Sequence, residues 1–302
     1  MPESHSVVVL GLKLSDIDNW LKIHEHIVSL GISIICGYAI QDIPRINVTH
    51  TFIRLYKGSY SGMRRLREIC DLTSATYLHL VASDDTLLAL DTECHQGVDY
   101  VSGSHYFESD IGNIESTSNL IEFTDSQIEN VIKYWTPPNP GDNSFFWGTY
   151  KTSFFRNIFD SSPELPFEAS DWYFMTKVLF FGRCTRSKTI KYLRSSNAAD
   201  KYVSRILPDV LKEALSKQWQ LLNPVLYCIR LICEEISDEC LDKLRDGFFY
   251  QIYHKYLELN EKLPDIFGCH SDLDRMNASL FFAFNVKDVP RELLLQYKYA
   301  DT

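Results

Sequence analysis

Residues 6–38 read SVVVLGLKLSDIDNWLKIHEHIVSLGISIICGY, and their pattern decides the fold class. The β-branched run at 6–12 is typical of a buried parallel strand, and so is the apolar run at 32–38. Between them, Ser15 suits a helix N-cap and Gly31 a C-cap, and apolar residues recur at helical spacing. A strand, a helix and a strand within about 30 residues have the size of a parallel crossover. The stretch therefore predicts an α/β protein.

The same alternation continues to about residue 110. Strands are predicted at 50–56, 76–82 and 97–108. A glycine-bearing loop with a helix separates the first two, and a helix at 86–96 separates the last two. Strands that alternate with helices pair in parallel, and the helices cover both faces of the sheet. We therefore expect a Rossmann-like, mostly parallel sheet flanked by helices.

The second half of the chain changes character twice. The segment at 136–144 holds three prolines, one glycine and two asparagines, which predicts a loop. The next long predicted element is a helix of about 14 residues that ends near Gly182. A strand or hairpin element follows at 184–195, and the pattern is helical from about residue 200 onward.

The change of pattern predicts two parts of the chain. Residues 1–197 are predicted to form an α/β domain, and residues 198–302 a helical C-terminal subdomain. In that subdomain, Leu207, Leu211 and Leu215 repeat every four residues. Such a stripe packs against its own domain or forms a homodimer contact, and the sequence leaves both readings open.

The composition excludes several classes of protein. The 302 residues are 45% hydrophobic with a formal net charge of −10, which opposes general binding to nucleic acids or anionic membranes. The first residues lack a signal-peptide pattern, and no stretch approaches the ~20 apolar residues of a membrane span. The eight cysteines include no CxxC pair, which is typical of reduced thiols rather than structural zinc. We expect a cytoplasmic protein without a transmembrane segment, with the inner face of the membrane as an alternative place of action.

Two adjacent acids follow the strand at 76–82. Ligands of open α/β sheets bind outside the carboxyl ends of the strands, and Asp84 and Asp85 are predicted to lie at such an end. Two neighbouring carboxylates repel each other unless a cation arrives. Mg²⁺ or Mn²⁺ takes one or two protein carboxylates and completes its ligands with water and a diphosphate. The alternative is a helix N-cap with a charged first turn.

Several segments together resemble inverting family-2 glycosyltransferases. The segment LTSATYLHLVASDDTLL at 72–88 resembles the strand and acid motif that carries the metal and the nucleotide diphosphate in that family. The segment FFWGTYKTSFFRNIF at 145–159 resembles a later segment with a glycine and a following arginine. The segment PFEASDWYFMTKVLFFGR at 166–183 resembles the helix whose acid is the catalytic base, and KYLRS at 191–195 resembles the strand after it. The resemblance covers roughly residues 6 to 195, with the segments in the family's order.

The resemblance implies a GT-A fold and a transferase activity. The enzyme would move a sugar from a nucleotide-diphosphate sugar, with a UDP-sugar favoured, to a glycan or other hydroxyl acceptor, with inversion. Surface glycan synthesis is the expected process, and Mg²⁺ or Mn²⁺ the expected cofactor. A base removes the acceptor proton, and the metal stabilises the charge on the leaving diphosphate.

The resemblance also assigns roles to residues. Asp171 is the predicted base, with Glu168 as the alternative, and Asp84 is the predicted metal ligand, supported by Asp85. The predicted nucleotide-sugar contacts are Asp84, Asp85, Arg64, Arg65, Trp147, Gly148 and Arg194. Each has a plainer reading as well: a first-turn acid for Asp171, solvated arginines, or a core tryptophan.

Two departures from the family pattern support other functions. Ala82 stands where the family places the first acid of its D-x-D, and the strand at 32–38 lacks the acid that reads the nucleoside. Both favour a catalytically inactive GT-A-like module that serves binding or assembly. A sugar nucleotidyltransferase is the third reading, and it ranks last because the segment after residue 6 lacks a glycine-rich basic loop for a triphosphate.

Overall fold

The computed structural model of the chain divides into two compact units, and each is described by itself. The first comprises Met1–Asn130, Asn143–Glu164 and Lys177–Ala199, and the second comprises Val131–Asp142, Leu165–Thr176 and Asp200–Thr302. The structure describes residues 4–10, 17–38, 50–54, 66–68, 70–82, 85–92, 97–108, 114–116, 121–136, 141–162, 170–194, 232, 243, 244 and 247. The predicted boundary near residue 198 lies outside the described residues and stays a prediction.

The first two predicted strands are confirmed. β1 (His5–Leu10) pairs in parallel with β2 (Ser33–Tyr38), and Val8 lies opposite Ile35. Val8 and both of its neighbours in β1 are fully buried, as expected of a strand that is covered on both faces.

The helix predicted between these strands forms, with one break. It is divided into α1 (Ile17–Ile23) and α2 (Glu25–Ser29). Gly31 follows α2 with a φ of 70°, the left-handed conformation that glycine adopts most easily at a helix C-terminus. The crossover predicted from residues 6–38 is therefore present.

Four strands form the parallel part of the sheet. β3 (His50–Arg54) pairs in parallel with β2, and β4 (Tyr77–Ala82) pairs in parallel with β1. Their order in space is β3-β2-β1-β4. Right-handed crossovers between such strands place the helices on the faces of the sheet. The predicted α/β class is confirmed.

The helix predicted at 86–96 is wrong where the structure describes it. β5 (Thr86–Ala89) instead pairs antiparallel with β9 (Cys184–Arg194). Leu87 is fully buried whereas Leu88 is 39% exposed, so the side chains alternate with the period of a strand. A short apolar run fits a helix or a strand in the sequence. The edge of β9 supplies backbone hydrogen-bond partners for this segment, and these partners favour a strand over a helix.

The remaining strands join the parallel part to β9. β6 (Tyr100–Glu108) runs parallel to β9 and antiparallel to both β7 (Ile114–Ser116) and β8 (Thr149–Lys151). β8 in turn pairs antiparallel with β4. Among the described residues, nine strands form one sheet in the order β3-β2-β1-β4-β8-β6-β9-β5, with β7 beside β6.

Three further helices are described. α3 (Gln127–Tyr134) precedes the predicted loop, and α4 (Thr152–Asp160) directly follows β8. α5 (Ser170–Phe181) confirms the predicted helix that ends near Gly182. A Cβ atom at Gly182 would lie 2.7 Å from the Val178 carbonyl oxygen, so a larger residue at this position would require the chain to shift.

The C-terminal predictions lie outside the described residues, apart from positions 232, 243, 244 and 247, which are helical. The leucine stripe at 207–215 also lies outside the described residues, so its packing stays a prediction. Within the described ranges, no helix combines the length and the hydropathy of a membrane span.

His24 fixes the start of β5 from the break between α1 and α2. Its Nδ1 donates to the Trp20 carbonyl oxygen at 2.8 Å, and its Nε2 accepts the N–H of Leu87 at 2.9 Å. Its ring also stacks on Trp20, with the centroids 3.7 Å apart. Burial lowers the pKa of His24 to about 4, against the opposing hydrogen bond to Trp20. Neutral His24 thus serves as donor and acceptor at once.

The lowered pKa of His24 predicts that the folded protein becomes less stable at acid pH. Between the unfolded pKa of 6.5 and about 4, the unfolded chain binds a proton at His24 that the folded chain does not. Stability therefore falls as pH falls through this window, by up to about 1.4 kcal/mol per pH unit from this group. We expect His24→Asn to lower stability at pH 7.5 by about 1–3 kcal/mol and to flatten the dependence below pH 6.5.

Urea midpoints measured from pH 7.5 to pH 4.5 test this expectation. His26→Asn is the control, because His26 is exposed in α2 and its charge makes the smallest of the three contributions to the pKa of His24. An unchanged pH dependence in His24→Asn would contradict the account.

Candidate functional site

The turn between β4 and β5 brings Asp85 to the end of β9. The Asp85 N–H donates to the Ala82 carbonyl oxygen at 3.1 Å and closes the turn. Thr86 pairs with Leu193 in the antiparallel ladder. One further step of that register sets Asp85 opposite Arg194, the last residue of β9.

Asp85 and Arg194 form an ion pair with little access to water. The Arg194 Nε lies 3.7 Å from the Asp85 Oδ2, and the side chains are 14% and 3% exposed, respectively. Removing a carboxylate from water costs several kcal/mol unless a positive partner offsets it. The two residues were predicted to bind the same ligand, and the structure brings them together.

Tyr192 and His105 lie beside this pair and are not among the predicted site residues. Their rings stack with centroids 4.7 Å apart and an interplanar angle of 7°. Burial and, to a lesser extent, the positive charge of Arg194 lower the pKa of His105 to about 3, against the effect of a backbone hydrogen bond with Trp147. The sequence signal for Tyr192 was its position two residues before Arg194 in a strand, which places both on one face.

Trp147 and Gly148 lie between the 3-10 helix Asn143–Phe146 and β8. Trp147 is partly exposed, and Gly148 is buried. A Cβ atom at Gly148 would lie 2.6 Å from Cε2 of Tyr100 and 3.0 Å from the Val101 carbonyl oxygen. Close packing against β6 therefore accounts for this glycine, whether or not a ligand binds nearby.

Asp171 lies in the first turn of α5, in the second unit. The neighbouring Trp172 is partly exposed and meets Trp135 edge to face, with centroids 5.8 Å apart. Gly141 has a φ of 67°, and a Cβ atom there would lie 3.1 Å from both rings. The Trp135 Nε1–H donates to the Thr176 hydroxyl at 3.0 Å. Trp172, the residue beside Asp171, therefore packs against Trp135 on one side while part of its surface stays exposed.

The other predicted site residues are Asp84, Arg64, Arg65 and Glu168, and they lie outside the described residues. Their predicted roles therefore stay predictions. So do the roles of Asp85, Asp171, Trp147, Gly148 and Arg194, whose positions the structure describes.

Comparison with known proteins finds solved structures with a similar architecture. No protein-family model and no curated protein sequence matches the chain. Residues 1–349 of S. aureus TarS match it with a TM-score of 0.59 and 11% identity, over 94% of this chain and 82% of that chain. The fold is GT-A-like.

Two ligand complexes of TarS 1–349 match as well. The complex with UDP has a TM-score of 0.46 and 13% identity, over 83% of this chain and 91% of that chain. The complex with UDP-GlcNAc has a TM-score of 0.44 and 14% identity, over 81% and 79%. The likeness in fold rests on the TarS 1–349 structure with the TM-score of 0.59, and at 11% identity it concerns the fold alone.

The Asp85–Arg194 pair predicts a measurable coupling. In a double-mutant cycle with Asp85→Asn and Arg194→Met, we expect a coupling energy of about 1–3 kcal/mol in urea unfolding, because each substitution leaves a charge with little solvent. A matched cycle is offered by Glu122→Gln and Arg186→Met, whose ion pair spans 3.3 Å but leaves Glu122 78% exposed. That coupling is expected to be below about 1 kcal/mol. Equal couplings in the two cycles would contradict the assignment of a buried pair.

Proposed function

We propose that the chain is a metal-dependent, inverting glycosyltransferase that moves a sugar from a nucleotide-diphosphate sugar to an acceptor hydroxyl. A UDP-sugar is the favoured donor, because TarS, a glycosyltransferase, forms complexes with UDP and UDP-GlcNAc. A glycan of the cell surface is the proposed acceptor, and the cytoplasm, or the inner face of the membrane, the proposed place of action.

The Asp85–Arg194 pair is the observation that carries the proposal. A GT-A-like sheet presents ligands at the carboxyl ends of its strands, and the pair lies at such an end. The pair supplies both signs of charge that a metal diphosphate needs, a carboxylate for the dication and a guanidinium for the phosphate oxygens.

The residues at the turn fit a hard dication. The described residues hold no group of three or more histidine, cysteine or carboxylate side chains that would form a closed metal cage. Mg²⁺ and Mn²⁺ in nucleotide sites need only one or two carboxylates, with water and phosphate oxygens as the other ligands. Asp84 is the proposed ligand, with Asp85 in support. Bound there, the metal would stabilise the negative charge of the leaving diphosphate.

Asp171 is the proposed general base. In the transferase reaction it takes the proton of the acceptor hydroxyl while that oxygen attacks the anomeric carbon from the face opposite the diphosphate. Inversion follows from this single displacement. The contact of the neighbouring Trp172 with Trp135 supports the assignment, since a base must be held within hydrogen-bond reach of the proton it removes. Glu168 is the alternative base.

Metal-dependent nucleotide binding tests the donor site. We expect calorimetry to detect UDP binding in the presence of Mn²⁺, and we expect Asp84→Asn to weaken it by about tenfold or more, because a ligand to the dication is lost. Asp125→Asn removes the same charge from an exposed position and serves as control. Binding that is indifferent to Mn²⁺ and to Asp84→Asn would overturn the metal assignment.

Turnover tests the base. With a panel of UDP-sugars, we expect Asp171→Asn to lower kcat by about 100-fold or more while the Kd for UDP stays within about twofold. Glu168→Gln is measured beside it to separate the two candidate bases. Donor binding without turnover for any donor and acceptor would instead favour the inactive binding module suggested by Ala82.

A further inference from the structure

β9 contains more residues than it needs to stay in register with β6. Ser102 lies opposite Arg186 and Ser104 lies opposite Lys191, so β6 advances by two residues while β9 advances by five. The surplus of three residues lies between Arg186 and Lys191, and we call residues 187–190 the β9 bulge. The register of the strand after the bulge therefore depends on how many residues the bulge holds.

The odd number of extra residues decides which face of the sheet carries Arg194. Residues that lie opposite each other share a face, and neighbours along a strand alternate between the faces. Arg186 shares the face of Ser102, whereas Arg194 lies opposite Phe107 and takes the other face. With an even number of extra residues, Arg194 would lie on the face of Arg186, because a shift of one residue turns every later side chain over. The bulge therefore puts Arg194 on the face where it meets Asp85.

The hydroxyl of Ser187 holds the bulge together. Its Oγ accepts the N–H of Thr189 at 3.1 Å and the N–H of Ile190 at 3.3 Å. Both N–H groups lie where the pairing with β6 is interrupted, so a side chain takes the place of the neighbouring strand as their acceptor. Ser187 and Ile190 are buried, and a buried N–H that loses its acceptor destabilises the folded state.

Asp91 connects the bulge to the end of β5. The Ser187 hydroxyl donates to the Asp91 Oδ2 at 3.0 Å, two residues beyond the last residue of β5. The ladder between β5 and β9 has three residue pairs and an irregularity in β5, so few backbone pairs oppose a slip of its register. The Asp91–Ser187 hydrogen bond joins the two strands at one end of this ladder, and the Asp85–Arg194 pair joins them at the other.

We propose that Ser187 and Asp91 are positioning residues for the Asp85–Arg194 pair. The Ser187 hydroxyl fixes the shape of the β9 bulge, and the Asp91 carboxylate fixes where the bulge lies along β5. Together they set which residue of β9 comes opposite Asp85, and on which face. The role of this arrangement in binding a diphosphate rests on the proposed function, whereas the positioning itself does not.

Double-mutant cycles between Asp85 and Arg194 test the positioning without any ligand. The cycle with Asp85→Asn and Arg194→Met is measured by urea unfolding in the wild type and again in Ser187→Ala. A general loss of stability cancels from the coupling energy, so a merely structural role of Ser187 would leave it unchanged. We expect the coupling energy in Ser187→Ala to fall to about half of its wild-type value or less, because Arg194 is no longer held in one geometry against Asp85.

Asp91 offers two milder variants. Asp91→Ala removes the acceptor of the Ser187 hydroxyl but leaves that hydroxyl in the bulge, so it also serves if Ser187→Ala does not fold. Asp91→Asn keeps a side-chain oxygen that accepts the same hydrogen bond. We expect a lowered coupling energy in Asp91→Ala and a value near that of the wild type in Asp91→Asn. A wild-type coupling energy in Asp91→Ala, or in folded Ser187→Ala, would overturn the proposal.

Ser102→Ala is the matched control. Ser102 is also a buried serine of this sheet, but its hydroxyl makes no hydrogen bond within the described part of the chain. The substitution therefore removes the same group without depriving an N–H of the bulge of its acceptor. We expect the coupling energy between Asp85 and Arg194 to match that of the wild type. A fall as large as that in Ser187→Ala would contradict the proposal.

UDP binding with Mn²⁺ then separates the positioning from the proposed function. We expect Ser187→Ala to raise the Kd for UDP by roughly tenfold relative to Ser102→Ala, equivalent to about 1.4 kcal/mol. A lowered coupling energy in a protein whose wild type binds no UDP would support the positioning and contradict the proposed function. An unchanged Kd in a protein that binds UDP would overturn the link between the β9 bulge and the diphosphate.

Discussion

The ion pair between Asp85 and Arg194 joins two parts of the sheet that the chain order keeps apart. It connects the turn after β4, in the parallel half, to the last residue of β9, in the half with antiparallel pairs. Because both side chains have little contact with water, each charge depends on the other. A dication that enters the site would bind Asp85 and weaken its interaction with Arg194. A diphosphate would bind Arg194 and weaken the same interaction from the other side.

The surroundings of the pair would allow a chain with a net charge of −10 to bind the proposed anionic ligand. A net negative charge gives an anion no long-range electrostatic attraction to the protein. Recognition of the anion would therefore come from a local cation in a site of low dielectric, where a single guanidinium interacts strongly. Neutral His105 and neutral Tyr192 line this site without adding charge. The anion would therefore be bound by Arg194 and by a metal, not by a basic surface.

The sequence predicted the elements better than their partners. The crossover at 6–38 carried its own caps and periodicity, and it formed as predicted, with one break at His24. The run at 86–96 carried no such local signal, and β5 formed because β9 and the His24 ring supply partners from 63 and about 100 residues away. At the candidate site, Asp85 and Arg194 were both named from the sequence. Tyr192 was missed because its spacing from Arg194 indicates only a shared face, whereas its stacking on His105 depends on the register of β6 against β9.

The proposed enzyme requires the turn after β4 to bind a dication together with a nucleotide diphosphate. Anomalous diffraction from crystals grown with UDP and Mn²⁺ tests it most directly. We expect one manganese peak within about 2.5 Å of a carboxylate oxygen of Asp84 or Asp85 and of oxygens of the diphosphate, with the Arg194 guanidinium against the phosphates. UDP bound elsewhere in the sheet, or manganese bound away from this turn, would contradict it.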